Sequence, residues 1–450
     1  MPRFTTQLII DNADQFKQRV LAWADKNFQT VCFLDNNHYA DYSNHTCEGL
    51  IACGSRDLLQ LNSGNAFNSL KEFYENKKDW LFGFFGYDLK NEIEKLQSQN
   101  HDGLNFPDLF FFQPEWVIEI HEKNAVVHSF SSKSFINLIA REEEKRQSLA
   151  AAPLIELHAR ISKSAYLQTL KKIRDHIVRG DIYEMNFCQE FFAENAKLNP
   201  LNAFLQLNEL SQAPFSCYLK HDGRYLMSAS PERFLKKQGS KLLSMPVKGT
   251  VRRGKNADED EAMRNKLFSD QKERSENVMI VDLVRNDLSK SCISGSVKVE
   301  ELFSIKTFPQ VHQMVSAISG ILRDDVHPVD AIKNAFPMGS MTGAPKMRAM
   351  ELIERYEKSK RGLYSGAVGY ITPEGDFDFN VVIRSLLYNS INQYLSFQVG
   401  SAIVFDSVPE QEYDECLLKA KALMEVVGIN PPASASSYIP ASASGPFLTA

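Results

Sequence analysis

Long apolar runs are missing from this chain. No stretch approaches the roughly 18 residues that cross a bilayer, and Asp11 interrupts Leu8-Ile9-Ile10 early for a secretory leader. A cytoplasmic protein with neither membrane span nor export signal is the expectation. Cysteine is scarce too, with seven in 450 residues. Cys32, Cys47, Cys53, Cys188, Cys217, Cys292 and Cys416 are odd in number and scattered, with neither metal-ligand spacing nor a disulfide framework. Excess positive charge is also lacking: the net charge is −5, and without a basic stripe nucleic acid is a poor partner. No longer internal repeat occurs.

What is present suits a soluble enzyme. A chain that is 43% hydrophobic and 24% charged can bury a large core, as one big or two smaller domains. Residues 1–150 alternate strand-like runs, Val31-Cys32-Phe33-Leu34 and Leu81-Phe82-Gly83-Phe84-Phe85-Gly86-Tyr87, with polar turns such as Asp35-Asn36-Asn37. The charged run Arg141-Glu142-Glu143-Glu144-Lys145-Arg146 reads as a solvated helix leading to a connection near 150–152. Residues 151–430 interleave strands and helices, predicting an α+β or mixed α/β fold. Residues 431–450 form a low-complexity, flexible tail with Ala-Ser-Ala-Ser twice.

The chemistry centres on Lys248, in Met245-Pro246-Val247-Lys248-Gly249-Thr250. It follows an apolar strand pattern and enters a Gly-Thr turn, and a lysine so held is a nucleophile if its surroundings lower its pKa. Alone it would pass for a solvated surface charge. Glu232, in Ser230-Pro231-Glu232-Arg233, stands at a strand-to-turn junction suited to a general acid. Glu276 heads a helical stripe with Ile280, Leu283 and Asp287. Gly339-Ser340-Met341-Thr342-Gly343-Ala344-Pro345-Lys346 leads into an amphipathic run to Tyr356. Pro345 suits a first helical turn, so the loop amides of Gly339, Ser340, Thr342 and Gly343 make an anion site. Met347 stands where a Walker loop needs Ser or Thr, so this is not a nucleotide loop. Ser407 and Glu410 make a capping-box start to a helix that Gly428 ends, with Glu412 and Glu415 nearly on one face. Oxygen ligands without a His or Cys cluster suit Mg²⁺ rather than Zn²⁺.

These segments together resemble the chorismate-utilizing enzymes, densely from about Ser162 to Gly428. The resemblance runs through Ser-Pro-Glu-Arg-Phe, Pro-Val-Lys-Gly-Thr, Glu-Asn-x-Met-Ile-Val-Asp-Leu, Gly-Ser-x-Thr-Gly-Ala-Pro-Lys, Arg361-Gly362-Leu363-Tyr364-Ser365-Gly366, Ile383-Arg384-Ser385 and the final glutamate helix. Within that family, lysine in the Pro-x-x-Gly-Thr motif is typical of component I of the aminodeoxychorismate synthases, and alanine of anthranilate synthases. Lys248 selects the former branch. The implied fold is an α+β sandwich of antiparallel sheets flanked by helices, its N-terminal portion packed on the chorismate-binding portion.

The implied reaction converts chorismate and ammonia to 4-amino-4-deoxychorismate, for 4-aminobenzoate and folate biosynthesis. Mg²⁺ on the ring carboxylate would be held by Glu276 and Glu415, with Glu273 and Glu412 beside them or acting through water. Glu232 would protonate the departing hydroxyl and Lys248 would attack carbon 2, giving an adduct that ammonia displaces at carbon 4. Arg384, on the alternating run Asn380–Leu386, would take the other carboxylate with a two-pronged guanidinium. Tyr364, Gly400, Ala402, Thr250 and Lys419 are further substrate-binding candidates by resemblance. Ammonia implies a glutamine amidotransferase partner, since Cys188 lacks the glycine-flanked elbow of a glutaminase nucleophile.

Departures from the family pattern stand out. Gln313 occupies a position usually held by histidine, and His312 lies one place early, so His312 receives no catalytic role. Glu184 stands where relatives using ammonia often have glutamine and water-using ones lysine, which suggests that it receives ammonium or orients ammonia. Ala402 replaces a common second glycine. Leu34-Asp35-Asn36 replaces the Leu-Glu-Ser stretch of tryptophan-inhibited anthranilate synthases, arguing against tryptophan feedback. Anthranilate synthase component I, a salicylate or isochorismate synthase, and an inert chorismate-binding protein remain as alternatives.

Overall fold

The apolar runs near Val31 and Leu81 form strands Thr30–Asp35 and Leu81–Phe85, with almost every residue buried, as expected of strands covered on both faces. In the computed structural model, which describes residues 2–39, 47–131, 135, 155–309 and 311–429, the strands assemble into antiparallel sheets flanked by helices. The fold is α+β. The charged run 141–146, the connection near 150 and the tail 431–450 lie outside the described residues.

One run of pairings leads from Phe4–Ile9 through Asn124–Ser129, Leu109–Ile120, Gly49–Leu61, Thr30–Asp35, Phe215–His221, Arg224–Ser230, Ser385–Asn389 and Tyr394–Ile403 to Glu184–Ala193. A second starts at the Leu109–Phe112 end of Leu109–Ile120, on the edge whose far end carries Asn124–Ser129. It passes through Leu81–Phe85, Ala367–Ile371, Phe377–Val381, Arg233–Gln238 and Lys241–Met245 to Val311–Ile321. The long strand Leu109–Ile120 thus belongs to both layers. Residues before 150 and after 155 contribute strands to the same sheets.

Alternation along each strand divides the core. Val31, Phe33, Met185 and Phe187 face helices Ala13–Asn27, Lys163–Val178, Pro200–Ser211 and Pro409–Val426. Cys32, Leu50 and Cys188 join a second cluster rich in phenylalanine, including Phe82, Phe84, Phe110, Phe111 and Phe379. Each such ring contributes about 1.5–3 kcal/mol on burial, so this layer is a stiff base for side chains at its rim. Helix Gln271–Ser289 packs on strand Val247–Arg252 and on the Gly339–Ala344 segment, and helix Pro409–Val426 packs on Tyr394–Ile403. These contacts bring the separated motifs to one place. Among the described residues no helix is long and apolar enough to cross a membrane.

Candidate active site

Strand Lys241–Met245 stops at Pro246, and pairing with Val311–Ile321 resumes at Val247–Arg252. The register slips between Val247 and Thr250, where Gly249 takes a φ of 87°. Lys248 therefore sits on a bulge within a strand, not at the entrance of a turn, and the bulge re-aims its side chain. Lys248 is 8% exposed, and its Nζ donates to Glu184 Oε1 at 2.5 Å. Burial disfavours the ammonium, but the charges of Glu184 and Glu276 outweigh it and hold the amine above the ordinary lysine range. The resting state is an ion pair. Its surroundings do not lower the amine's pKa, so a free amine must be generated in some other way.

Glu232 lies between strands Arg224–Ser230 and Arg233–Gln238, buried, and accepts a hydrogen bond from Ser340 Oγ at 2.6 Å. Burial pushes its carboxyl up to about 7, against the opposing pull of the Ser340 hydroxyl and the Lys248 charge. A carboxylic acid that holds its proton near neutrality is what a general acid needs. Ser340 thus holds the acid in place, a contact between residues far apart in sequence.

The glutamates expected to act together do lie together. Glu276 is buried one turn from Lys272, whose Nζ stands 3.7 Å from Glu276 and 3.1 Å from Glu412. A Cβ on Gly249 would lie 3.0 Å from Glu273 Oε2, which puts Glu273 beside the Lys248 bulge. Glu415 pairs with Lys419 at 2.6 Å. Burial and the Glu415 charge push Glu273 up to about 7, and burial pushes Glu276 well up despite Lys248. For Glu415 burial acts upward, but Lys419 prevails and holds it below the usual range. Among the described residues no three metal-binding side chains converge closely enough to clasp an ion as they stand. The donor set still fits a hard divalent cation: four carboxylates from two helices, with Glu412 Oε2 buried and lacking a hydrogen-bond partner among the described residues. Lys272 supplies the positive charge here, and sequence reading missed it although it lies at i−4 from Glu276.

Other expected residues fall around this centre, with differences. Arg384 is not on a strand. It lies between Phe377–Val381 and Ser385–Asn389 with a φ of 52°, because the Val382 backbone pairs with Ser365 and Gly366 instead of continuing a ladder. Arg384 is half-buried as a residue, and burial holds its guanidinium below the ordinary arginine range despite the neighbouring Tyr364 and Glu415. Tyr364 Oη lies 3.6 Å from Cys188 Sγ, and a Cβ at Gly400 would meet that sulfur at 2.5 Å, so Cys188, Tyr364 and Gly400 form one wall. Lys419 Nζ donates to the Gly400 carbonyl at 2.9 Å. Ala402 is opposite Asn186, and Thr250 opposite Gln313.

The Gly339–Lys346 segment is a 3₁₀ turn at Gly339–Met341, a short bridge at Gly343–Ala344 and then helix Lys346–Tyr356. Pro345 caps this helix instead of entering its first turn. The Thr342 hydroxyl donates to the carbonyls of Met338 and Gly339, so it is occupied by the turn itself. Lys346 turns inward to Asp287 at 2.5 Å. The capping box also fails: helix Pro409–Val426 has Val408 as its N-cap, because the Ser407 hydroxyl accepts from the Val404 N–H. Gly428, with a φ of 78°, does follow that helix's end.

His312 bonds Thr307 and Asp260, while Gln313 is buried with its Oε1 unpartnered among the described residues. Leu34, Asp35 and Asn36 line a separate small cavity of about 40 Å³ with Phe215, Asp378 and Asn380. A buried pair that sequence reading left unassigned, Arg361 with Glu357, ties the site's walls together. Arg361 donates to the carbonyls of Met341 and Asn186, and Glu357 accepts from the Cys188 N–H.

This convergence of a buried lysine, a buried acid and a carboxylate cluster at the rim of an antiparallel sandwich accords with the family match. A family model described as chorismate binding enzyme matches residues 18–425, and the chain belongs to that family of chorismate-utilising enzymes. It is 35% identical over 347 residues to aminodeoxychorismate synthase component 1 of Escherichia coli K12, covering 76% of each chain. It is also 33% identical over 374 residues to anthranilate synthase component 1 of Aquifex aeolicus, covering 78% of this chain and 74% of the relative. The crystal structure of anthranilate synthase component I from Streptococcus pneumoniae TIGR4 is similar with a TM-score of 0.69 and 26% identity, covering 83% of this chain and 91% of that one.

Proposed function

We propose that the chain is the chorismate-converting component of an aminodeoxychorismate synthase, a transferase that makes 4-amino-4-deoxychorismate from chorismate and ammonia for 4-aminobenzoate and folate synthesis. The observation that carries this reading is the pairing of chemistries: a lysine on the Lys248 bulge facing a site whose acid, Glu232, keeps its proton near neutrality. An anthranilate synthase needs no such lysine. Glu232 protonates the hydroxyl at carbon 4 as Lys248 attacks carbon 2, and ammonia then adds at carbon 4 and expels the lysine. One hard displacement becomes two easier ones.

Arg384 recognises one substrate carboxylate, with Tyr364, Gly400 and Ala402 forming the adjacent wall. Gly339, Ser340, Thr342 and Gly343 contribute backbone, and Thr250 and Lys419 border the pocket. Glu276 and Glu415, with Glu273 and Glu412 around them, would hold Mg²⁺. When bound, that ion would neutralise the ring carboxylate and help the ring accept electrons. Ammonia comes from a glutamine amidotransferase partner, a reading supported by the name component 1 carried by its relatives. A cytoplasmic location is part of this proposal.

Incubating the purified chain with chorismate, Mg²⁺ and ammonia, and resolving products by chromatography and mass spectrometry, tests the reading. The expected product is 4-amino-4-deoxychorismate; anthranilate, salicylate or isochorismate would assign the chain to a sister activity.

A further inference from the structure

Glu184, expected from the sequence to receive ammonium or orient ammonia, is hydrogen-bonded to Lys248. It opens strand Glu184–Ala193, on which Glu184, Asn186 and Cys188 share one face, and Asn186 and Cys188 lie against Gly400 in the substrate wall. Glu184 is 1% exposed, and one oxygen accepts from Lys248 Nζ at 2.5 Å. The other oxygen is buried without a hydrogen-bond partner among the described residues. The carboxyl groups around Lys248 are those of Glu184, Glu276, Glu232 and Glu415. Of these, Glu184 is the one hydrogen-bonded and ion-paired to Lys248 among the described residues.

An ammonium has no lone pair, so Lys248 cannot attack carbon 2 while it keeps all three protons. We infer that Glu184 is the general base of the first half-reaction, taking a proton from the Lys248 ammonium and returning it when the lysine leaves. This inference rests on the reading of Lys248 as nucleophile. The protons balance across the cycle. Glu184 becomes a neutral acid as the Lys248 amine forms the bond to carbon 2. Both ring double bonds shift by one position, the carbon–oxygen bond at carbon 4 breaks, and the hydroxyl leaves as water with the Glu232 proton. Ammonia then bonds to carbon 4, the bond from carbon 2 to lysine breaks, and the new ammonium hands a proton to Glu232. Lys248 regains its own proton from Glu184, and the ion pair is restored.

A residue that only orients ammonia acts after the adduct exists, so the two roles separate in time. The experiment follows adduct formation without ammonia, by rapid quench and intact mass, in the full chain with chorismate and Mg²⁺. The signal is an added mass of chorismate less one water. Exchange of heavy oxygen from labelled water into the chorismate hydroxyl reads the same step when the adduct does not accumulate. In Glu184→Gln both signals are expected to slow about 100-fold or more near neutral pH, where Glu232 still holds its proton. Glu184→Asp should recover part of the rate. Wild-type rates of adduct formation and exchange in Glu184→Gln, with loss confined to the ammonia step, would overturn the base role. Full turnover in Lys248→Ala would instead remove the nucleophile on which it depends, a distinct outcome.

Discussion

Glu232 is the residue whose behaviour depends most on its surroundings. Its carboxyl is raised to about 7 by burial, so the protonated form needed for donation is present below that pH and is lost as pH rises through it. The rate of the first half-reaction should therefore fall above about pH 7 with the titration of one group. Glu232→Gln, which cannot donate in the same way, should lose about 100-fold or more in kcat and lack that descending limb. A pH profile of single-turnover rates for both proteins checks this. Glu232 and Lys248 could be found in the sequence because each stands in a short motif whose chemistry is local. Their partners could not: Ser340 lies 108 positions from Glu232, and Glu184 lies 64 from Lys248. Only the pairing of distant strands brings them together.

At the scale of elements, the segment opposite Glu184 is tightly packed. Gly343 has a φ of 152°, and a Cβ there would lie 2.1 Å from the Glu184 carbonyl oxygen. Gly343→Ala should cost about 1–3 kcal/mol of stability through strain, read as a lowered denaturation midpoint, and should slow the first half-reaction by displacing Glu184. The helices were legible where periodicity and chain punctuation agree, as in Gln271–Ser289 with its buried Glu276, Ile280 and Asp287. Reading failed where a backbone or side-chain group found a distant partner. Asn380–Leu386 alternates like one strand, but Ser365 and Gly366 capture the Val382 backbone and turn Arg384 out of the ladder. Ser407 looks like a cap, but its hydroxyl serves Val404. The Lys248 turn became a bulge because its partner strand continues past Pro246, which sequence alone does not reveal.

Across the whole molecule, the sandwich gathers side chains from distant parts of the chain into one charged centre, and all of the assigned site residues come from the part after 155. Residues before 150 supply strands to both layers and line the separate cavity at Leu34–Asn36. The centre is rich in carboxylates, with Lys248, Lys272 and Lys419 as the opposing ammonium groups. Burial, with repulsion from neighbouring carboxylates, raises Glu273 and Glu276, and a divalent ion would favour their charged forms. Calorimetric titration with Mn²⁺ or Mg²⁺ should therefore show binding that Glu276→Gln weakens at least about tenfold; equal affinity in the variant would move the metal elsewhere.

The central claim is that this member of the chorismate-utilising family transfers ammonia to carbon 4 through Lys248. The measurement that meets it most directly is product analysis after incubation with chorismate, Mg²⁺ and ammonia, run beside Lys248→Ala. The expected result is 4-amino-4-deoxychorismate from the wild type and at least about 100-fold less from the variant. Anthranilate as the product, or the same 4-amino-4-deoxychorismate yield from both proteins, would contradict it.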